Sequence, residues 1–101
     1  MTEYTYSYLT ETYKIDFDDD INLPALPEGQ FWRVKTDSLG AVVVELRRKG
    51  IFGSSHLVDN AYPDVVNLKE IQYAACRVVV RGRGRKAENR LLGDYPPKKL
   101  S

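Results

Sequence analysis

Cysteine and histidine are scarce in this chain of 101 residues, which has one of each, Cys76 and His56. A single cysteine cannot close an intrachain disulfide, and a thiol–imidazole dyad would have to consist of these two residues. Cys76 ends the run Ala74–Cys76, a setting typical of a small buried side chain rather than of a reactive thiolate. We therefore expect no catalytic residues, no metal site and no cofactor, and interpret the chain as a non-enzymatic protein.

Long apolar runs are also missing. No run exceeds the four residues of Ala41–Val44, whereas a membrane-spanning helix needs about 20. Met1–Tyr4 has neither a basic start nor a following apolar stretch, so we expect no signal peptide. Together with the lone cysteine, these features predict a cytoplasmic protein with no membrane partner.

Charge is unevenly distributed along the chain. The first 30 residues contain seven acidic residues and one lysine, whereas the remaining residues contain seven acidic and fourteen basic ones. The acidic run Asp16–Asp20 lacks the glycine and the glutamate that a calcium loop has at its sixth and twelfth positions. We therefore interpret this run as a solvated turn.

The N-terminal segment, residues 1–22, alternates as β-strands do. Tyr4, Tyr6 and Tyr8 fall on one face of an extended chain, and a second alternating stretch ends at Phe17. The phase of the alternation changes between the two stretches. Either a tight turn near residues 9–12 makes a hairpin, or one long strand contains a bulge there.

Three further strands are predicted in residues 30–59, after a loop over residues 23–29 that contains two prolines. The connections between these strands are short, so we expect an antiparallel β-meander. In its second strand Val42, Val44 and Leu46 alternate with Val43, Glu45 and Arg47. We expect the first set to face the core and the second to face outward.

A helix is predicted from about residue 67 to residue 82, because Asn67 suits the N-cap and Glu70 follows three residues later. Gly82 and Gly84 disfavour helix, so we expect fraying or bending there and a basic tail over residues 83–101, a short helical continuation to Leu92 being the alternative. The predicted fold is a single α+β domain over residues 1–101. It is an antiparallel β-meander of three to five strands packed by one C-terminal helix.

Two sets of residues are candidates for binding. Aromatic side chains on the predicted strands suit a protein interface; these are Tyr4, Tyr6, Tyr8 and Trp32. Basic side chains of the C-terminal part suit nucleic-acid phosphates; these are Arg77, Arg81, Arg83, Arg85, Lys86 and Arg90. Arg77, Arg81 and Arg85 are four residues apart and would form one stripe on a helix, although the same pattern is common on solvated helix faces. If the N-terminal strand is an edge, it could also pair with its copy in a homodimer.

Residues 26–60 resemble part of small uncharacterised accessory proteins of actinobacteriophages. The resemblance lies in Leu26–Lys35, Leu46–Lys49 and Phe52–Asp59. It implies a bacteriophage protein that acts in the host cytoplasm by contacting a host protein or nucleic acid. Our hypothesis from the sequence is thus a binding protein for a host protein, with nucleic-acid binding through the arginine cluster as the alternative.

Overall fold

The chain folds into two three-stranded antiparallel sheets and one long C-terminal helix. The computed structural model describes the backbone of residues 2–92 and the side chains of residues 2–86. This architecture confirms the α+β class with a meander packed by one C-terminal helix. The described residues form six strands rather than three to five, because one additional strand of two residues lies in the predicted loop.

The first sheet begins with a hairpin of β1 (Thr2–Tyr8) and β2 (Glu11–Asp18). Tyr8 pairs with Glu11, so Leu9 and Thr10 form a two-residue turn, and the alternative of one bulged strand is wrong. Leu9 has φ of 57°, in the left-handed region that the first residue of a two-residue hairpin turn adopts.

The third strand of the first sheet, β3 (Leu23–Pro24), pairs with Phe17 and Asp18 of β2. Residues 23 and 24 are therefore strand, although the sequence predicts loop there. Pro24 is compatible with pairing because β3 lies at the edge of its sheet, where only one side of the strand has a neighbour.

The second sheet is the predicted meander, composed of β4 (Gln30–Thr36), β5 (Val42–Lys49) and β6 (Ser55–Ala61). β5 is its central strand. Val44 and Leu46 face the core as expected, but Val43 and Glu45 on the opposite face are also buried. That face is covered by long side chains from its own strands, since Lys35 and Arg47 both contact the Glu45 carboxylate.

The helix α1 (Leu68–Leu92) begins at the predicted cap, where Asn67 Oδ1 accepts a hydrogen bond of 2.8 Å from the Glu70 amide. It continues through Gly82 and Gly84 to Leu92, ten residues past the predicted end at residue 82, so the helix follows the alternative of a continuation to Leu92. Two glycines cost about 1 kcal/mol each in a helix interior. Side-chain contacts on both sides of them offset this cost, as Arg81 and Arg85 bind β6 and Arg83 binds β2.

The core consists of two apolar clusters on α1, one against each sheet. Small residues on the helix, Ala74 and Ala75, allow close contact with the second sheet, and Cys76 faces the first sheet. The first cluster contains Leu23, Val44, Leu46, Ala61, Ala74, Ala75 and Val78, and the second contains Ile15, Phe17, Cys76 and Val80. Within the described residues, no helix has the length and apolar character needed to cross a membrane.

Candidate binding surfaces

The tyrosine face of β1 lies against the second core cluster, between the first sheet and the helix. Tyr4, Tyr6 and Tyr8 are half-buried and pack on the cluster that contains Cys76. The Tyr4 ring centroid lies 5.0 Å from that of Phe17. Burial and a hydrogen bond with Tyr73 raise the pKa of Tyr4 to about 12. The three rings share one face, as the alternation predicts, and that face is largely used within the fold.

Trp32 also has an intramolecular role. Its indole Nε1 donates a hydrogen bond of 2.8 Å to the backbone oxygen of Pro24. Since Trp32 belongs to β4 and Pro24 to β3, this bond joins the two sheets. The ring is half-buried and packs on the core cluster beneath the second sheet.

The arginine stripe follows the edge strand β6. Arg77 donates to the Tyr62 carbonyl at 2.9 Å, and Arg81 donates to the Asn60 carbonyl. Arg85 pairs with the Asp59 carboxylate at 3.0 Å, and Arg81 also approaches it, at 3.4 Å. The predicted stripe exists, and its guanidinium groups connect the helix to the second sheet.

The other basic residues of the cluster point elsewhere. Arg83 donates to the backbone oxygen of Lys14, on the first sheet, at 3.2 Å. Lys86 is exposed, and the side chain of Arg90 lies outside the described residues. The cluster is therefore divided around the helix rather than gathered on one cationic face.

A groove of about 420 Å³ brings members of the two sequence-predicted sets together. It lies between β1 and the first half of α1, and its lining includes Tyr4, Tyr6, Tyr73 and Arg77. Burial raises the pKa of Tyr6, although Arg77 opposes the shift. The carboxylates of Asp64 and Glu70 line the same groove, so they offset the charge of Arg77.

The loop between β5 and β6 presents an apolar tip that the sequence analysis missed. Ile51 and Phe52 are among the most exposed large apolar residues, and Phe52 is fully exposed with φ of 57° and ψ of 43°. The loop is closed by a bond of 2.8 Å from the Gly50 amide to the Ser54 carbonyl. The Ser54 hydroxyl donates to the Ile51 carbonyl at 2.7 Å. The signal in the sequence is an apolar pair, Ile51 and Phe52, between Gly50 and Gly53.

A second surface that the sequence did not indicate is the face of the second sheet that points away from the helix. We call it the outer face. Its strand positions carry Phe31, Arg33 and Lys35 on β4, and Glu45, Arg47 and Lys49 on β5. Glu45 is buried and lies 3.1 Å from Arg47 and 3.8 Å from Lys35. Arg33, Lys35 and Lys49 are exposed, so the outer face presents cations to solvent.

The acidic groups and the thiol that the structure describes are not arranged as a catalytic or metal-binding site. Thr2 Oγ1 donates to Asp19 at 2.6 Å, and this bond lowers the pKa of Asp19. Burial raises the pKa of the Cys76 thiol to about 12, which disfavours the nucleophilic thiolate. Among the side chains that the structure describes, no three or more His, Cys, Asp or Glu residues are grouped so that they could bind a metal ion.

The geometry therefore places the predicted aromatic and arginine sets mostly in intramolecular contacts, and exposes a rigid loop tip and a cationic sheet face instead. Comparisons of the chain with protein-family models, with curated proteins and with solved structures found no match.

Proposed function

We propose that the chain is a small non-enzymatic protein that binds another protein through the tip of the β5–β6 loop. The observation that carries this proposal is the fully exposed Phe52, which has a left-handed backbone conformation. Such a conformation is unfavourable for a bulky side chain. Strained backbone conformations of this kind are concentrated at functional sites in proteins, which supports a binding role for Phe52.

The loop also has the rigidity that a docking element needs. The bonds made by Gly50 and Ser54 fix the loop backbone on both sides of the tip. A preorganised loop loses little conformational entropy on binding. Aromatic anchors that enter a partner's pocket supply much of the energy of protein interfaces. Phe52, with Ile51 beside it, fits that role better than the half-buried tyrosines of β1.

A host-cell protein is the partner that we propose, since the resemblance to accessory proteins of actinobacteriophages covers the loop. A cytoplasmic location is consistent with this partner and stays a prediction. The alternative, nucleic-acid binding through the C-terminal arginines, has less support. Arg77, Arg81, Arg83 and Arg85 already have partners within the chain.

The test compares two asparagine substitutions at exposed apolar turn residues. Phe52→Asn removes the ring and suits the left-handed backbone, so the fold should be retained. Leu39→Asn is the matched control, because Leu39 is 91% exposed in the β4–β5 turn of the same sheet. Capture from an actinobacterial lysate, quantified by mass spectrometry, should give one enriched protein with the wild type and with L39N, and lose it with F52N. Equal capture by F52N would show that the tip is not the interface.

We also propose that β1 can pair with its copy in a second molecule. β1 is an edge of the first sheet, and Thr2–Tyr8 contains neither lysine nor proline, the residues that usually protect edges. Sedimentation velocity should show a concentration-dependent dimer, and the exposed-position variant Thr5→Lys should shift it to monomer. A wild type that stays monomeric at high concentration would refute this pairing.

A further inference from the structure

We propose that the outer face of the second sheet binds single-stranded nucleic acid. Bases would stack on Phe31 and Tyr62, and phosphates would contact Arg33, Lys35 and Lys49. This surface is distinct from the loop tip and from the arginine stripe.

The strand registers place these residues together. Phe31 pairs with Arg47, Arg33 with Glu45, and Lys35 with Val43, and alternate residues of a strand share a face. The helix occupies the opposite face, where Val44 and Leu46 belong to the core. The long side chains of the outer face cover Val43 and Glu45 and themselves reach solvent, since Arg33, Lys35 and Lys49 are exposed.

The charge of the outer face is suited to a polyanion. It contains four cations, Arg33, Lys35, Arg47 and Lys49, against the Asp37 carboxylate at the Tyr62 end and one carboxylate of β4 and β5, that of Glu45. That carboxylate is buried and neutralised by Arg47 and Lys35. Arg33 and Lys49 are exposed and can contact phosphates, and the Lys35 side chain is 48% exposed, so its amine can contact a phosphate while it stays beside Glu45.

Two aromatic rings accompany the cations. Phe31 lies between two shallow grooves of about 250 and 300 Å³ and lines both of them. The Arg33 guanidinium lies 5.8 Å from its ring centroid. Tyr62 follows β6 and is 48% exposed, and its hydroxyl donates to Asp37 at 3.1 Å, which fixes the ring. Aromatic rings interleaved with cations are the arrangement with which proteins bind unpaired bases.

A single strand fits this surface better than a duplex does. The outer face is a pleated sheet surface, and the helix that could enter a major groove lies behind it. Paired bases hide their faces in the helical stack, whereas an unpaired base can lie on a ring that reaches solvent, as the half-buried Phe31 and the 48% exposed Tyr62 do. An acidic peptide would satisfy the cations but would leave the rings without a specific partner.

One side of the surface disfavours phosphate because a carboxylate lies there. Asp18 lines the groove of about 250 Å³ together with Ile21, Leu26 and Phe31. Ser54, Ser55 and Lys49 line the groove on the other side of Phe31. The strand's phosphates should therefore follow the Lys49 side, where the Ser55 hydroxyl, which accepts a hydrogen bond from Arg47, can donate its own proton and a cation is available.

The experiment is a fluorescence anisotropy titration with labelled oligothymidylate of about 15 nucleotides at low and moderate salt. Wild-type binding should weaken as salt rises, because phosphate contacts release counterions. Arg33→Gln with Lys35→Gln should weaken binding by about tenfold. The matched control, Arg83→Gln with Lys86→Gln, also removes one arginine and one lysine, from the helix, and should change binding by less than about twofold.

The contribution of stacking is tested separately. Phe31→Leu retains apolar bulk but removes the ring, and should weaken binding by about fivefold or more. Circular dichroism and thermal unfolding of each variant verify that it is folded. The same titration with oligouridylate distinguishes DNA from RNA as the natural strand.

Several outcomes would overturn the proposal. These are no wild-type binding at low salt, an equal loss in the helix control, and unchanged binding by folded F31L. Polyglutamate that competes as well as unlabelled oligothymidylate would identify an acidic protein surface as the partner instead. A duplex that binds as tightly as the single strand would exclude recognition of unpaired bases.

Discussion

Three non-glycine residues of the described chain have a left-handed backbone: Leu9, Asn22 and Phe52. Asn22 tolerates this conformation well, because its short polar side chain suits it. Leu9 has a structural reason, since it closes the two-residue turn between β1 and β2. Phe52 makes no packing contribution that would compensate, because its side chain is fully exposed. At the residue scale, Phe52 is therefore the position whose conformation is best explained by binding.

Asp37 should make stability depend on pH. The backbone amides of Ala41 and Leu39 and the Tyr62 hydroxyl donate to its carboxylate and lower its pKa from the ordinary value of 3.8. The unfolded chain then takes up the proton more readily, so the stabilisation is present above the ordinary pKa and is lost as pH falls through the lowered one. Asp37→Asn cannot titrate, and its urea midpoint should therefore approach that of the wild type as pH falls.

The measurement is urea unfolding of both proteins from pH about 6 down to about 2. Ser38→Asn, at an exposed position in the same turn, is the control and should keep the wild-type pH profile. A difference between wild type and D37N that stays constant over this range would contradict the assignment.

At the scale of elements, the helix is longer than its sequence predicts, and Gly82 and Gly84 lie inside it. An added Cβ at Gly82 would meet no atom within 4 Å apart from its own helix and neighbours. Alanine loses less entropy than glycine in a helix interior. Gly82→Ala should therefore raise the free energy of unfolding by roughly 0.5–1 kcal/mol.

The same substitution at Gly29 should have the opposite sign. Gly29 has φ of 88°, a conformation that an alanine side chain disfavours. Urea unfolding followed by circular dichroism measures both changes. A destabilised G82A protein would mean that residue 82 is not in a regular helix in solution.

The helix N-cap and the two short connections of the meander, β4–β5 and β5–β6, are local features that could be predicted. Asn67 has a side-chain acceptor for the Glu70 amide whatever the helix packs against. The passage through two glycines could be predicted only as an alternative, because it depends on carbonyls and carboxylates of strands far away in the sequence. Arg83, for example, contacts Lys14 across 69 positions.

At the scale of the whole molecule, one helix connects two sheets, and arginines contribute to that connection. Arg81 donates to the Asn60 carbonyl and approaches Asp59, which is itself largely buried. Loss of Arg81 removes the side-chain donor of the Asn60 carbonyl and one of the two arginines that contact Asp59, the other being Arg85. Arg81→Ala should therefore lower the free energy of unfolding by roughly 1–2 kcal/mol.

Lys86→Ala is the control for Arg81→Ala, since Lys86 is an exposed cation on the same helix. It should change stability by less than about 0.5 kcal/mol. Equal stability of the two variants in urea would contradict a connecting role for Arg81. Because the stripe arginines bond to other parts of the fold, alanine substitutions of Arg77, Arg81 and Arg85 change stability as well as any binding.

The sequence by itself determined the strands of the meander, the shared face of Tyr4, Tyr6 and Tyr8, the helix cap and the α+β class. These features follow from side-chain periodicity and from hydrogen bonds between near neighbours. Only the tertiary structure decided which faces are covered. The helix covers the tyrosine face and places its arginine stripe on β6, whereas the cations of the outer face stay exposed. Periodicity defines the faces of each element, but contacts between distant elements select the ones that remain for a partner.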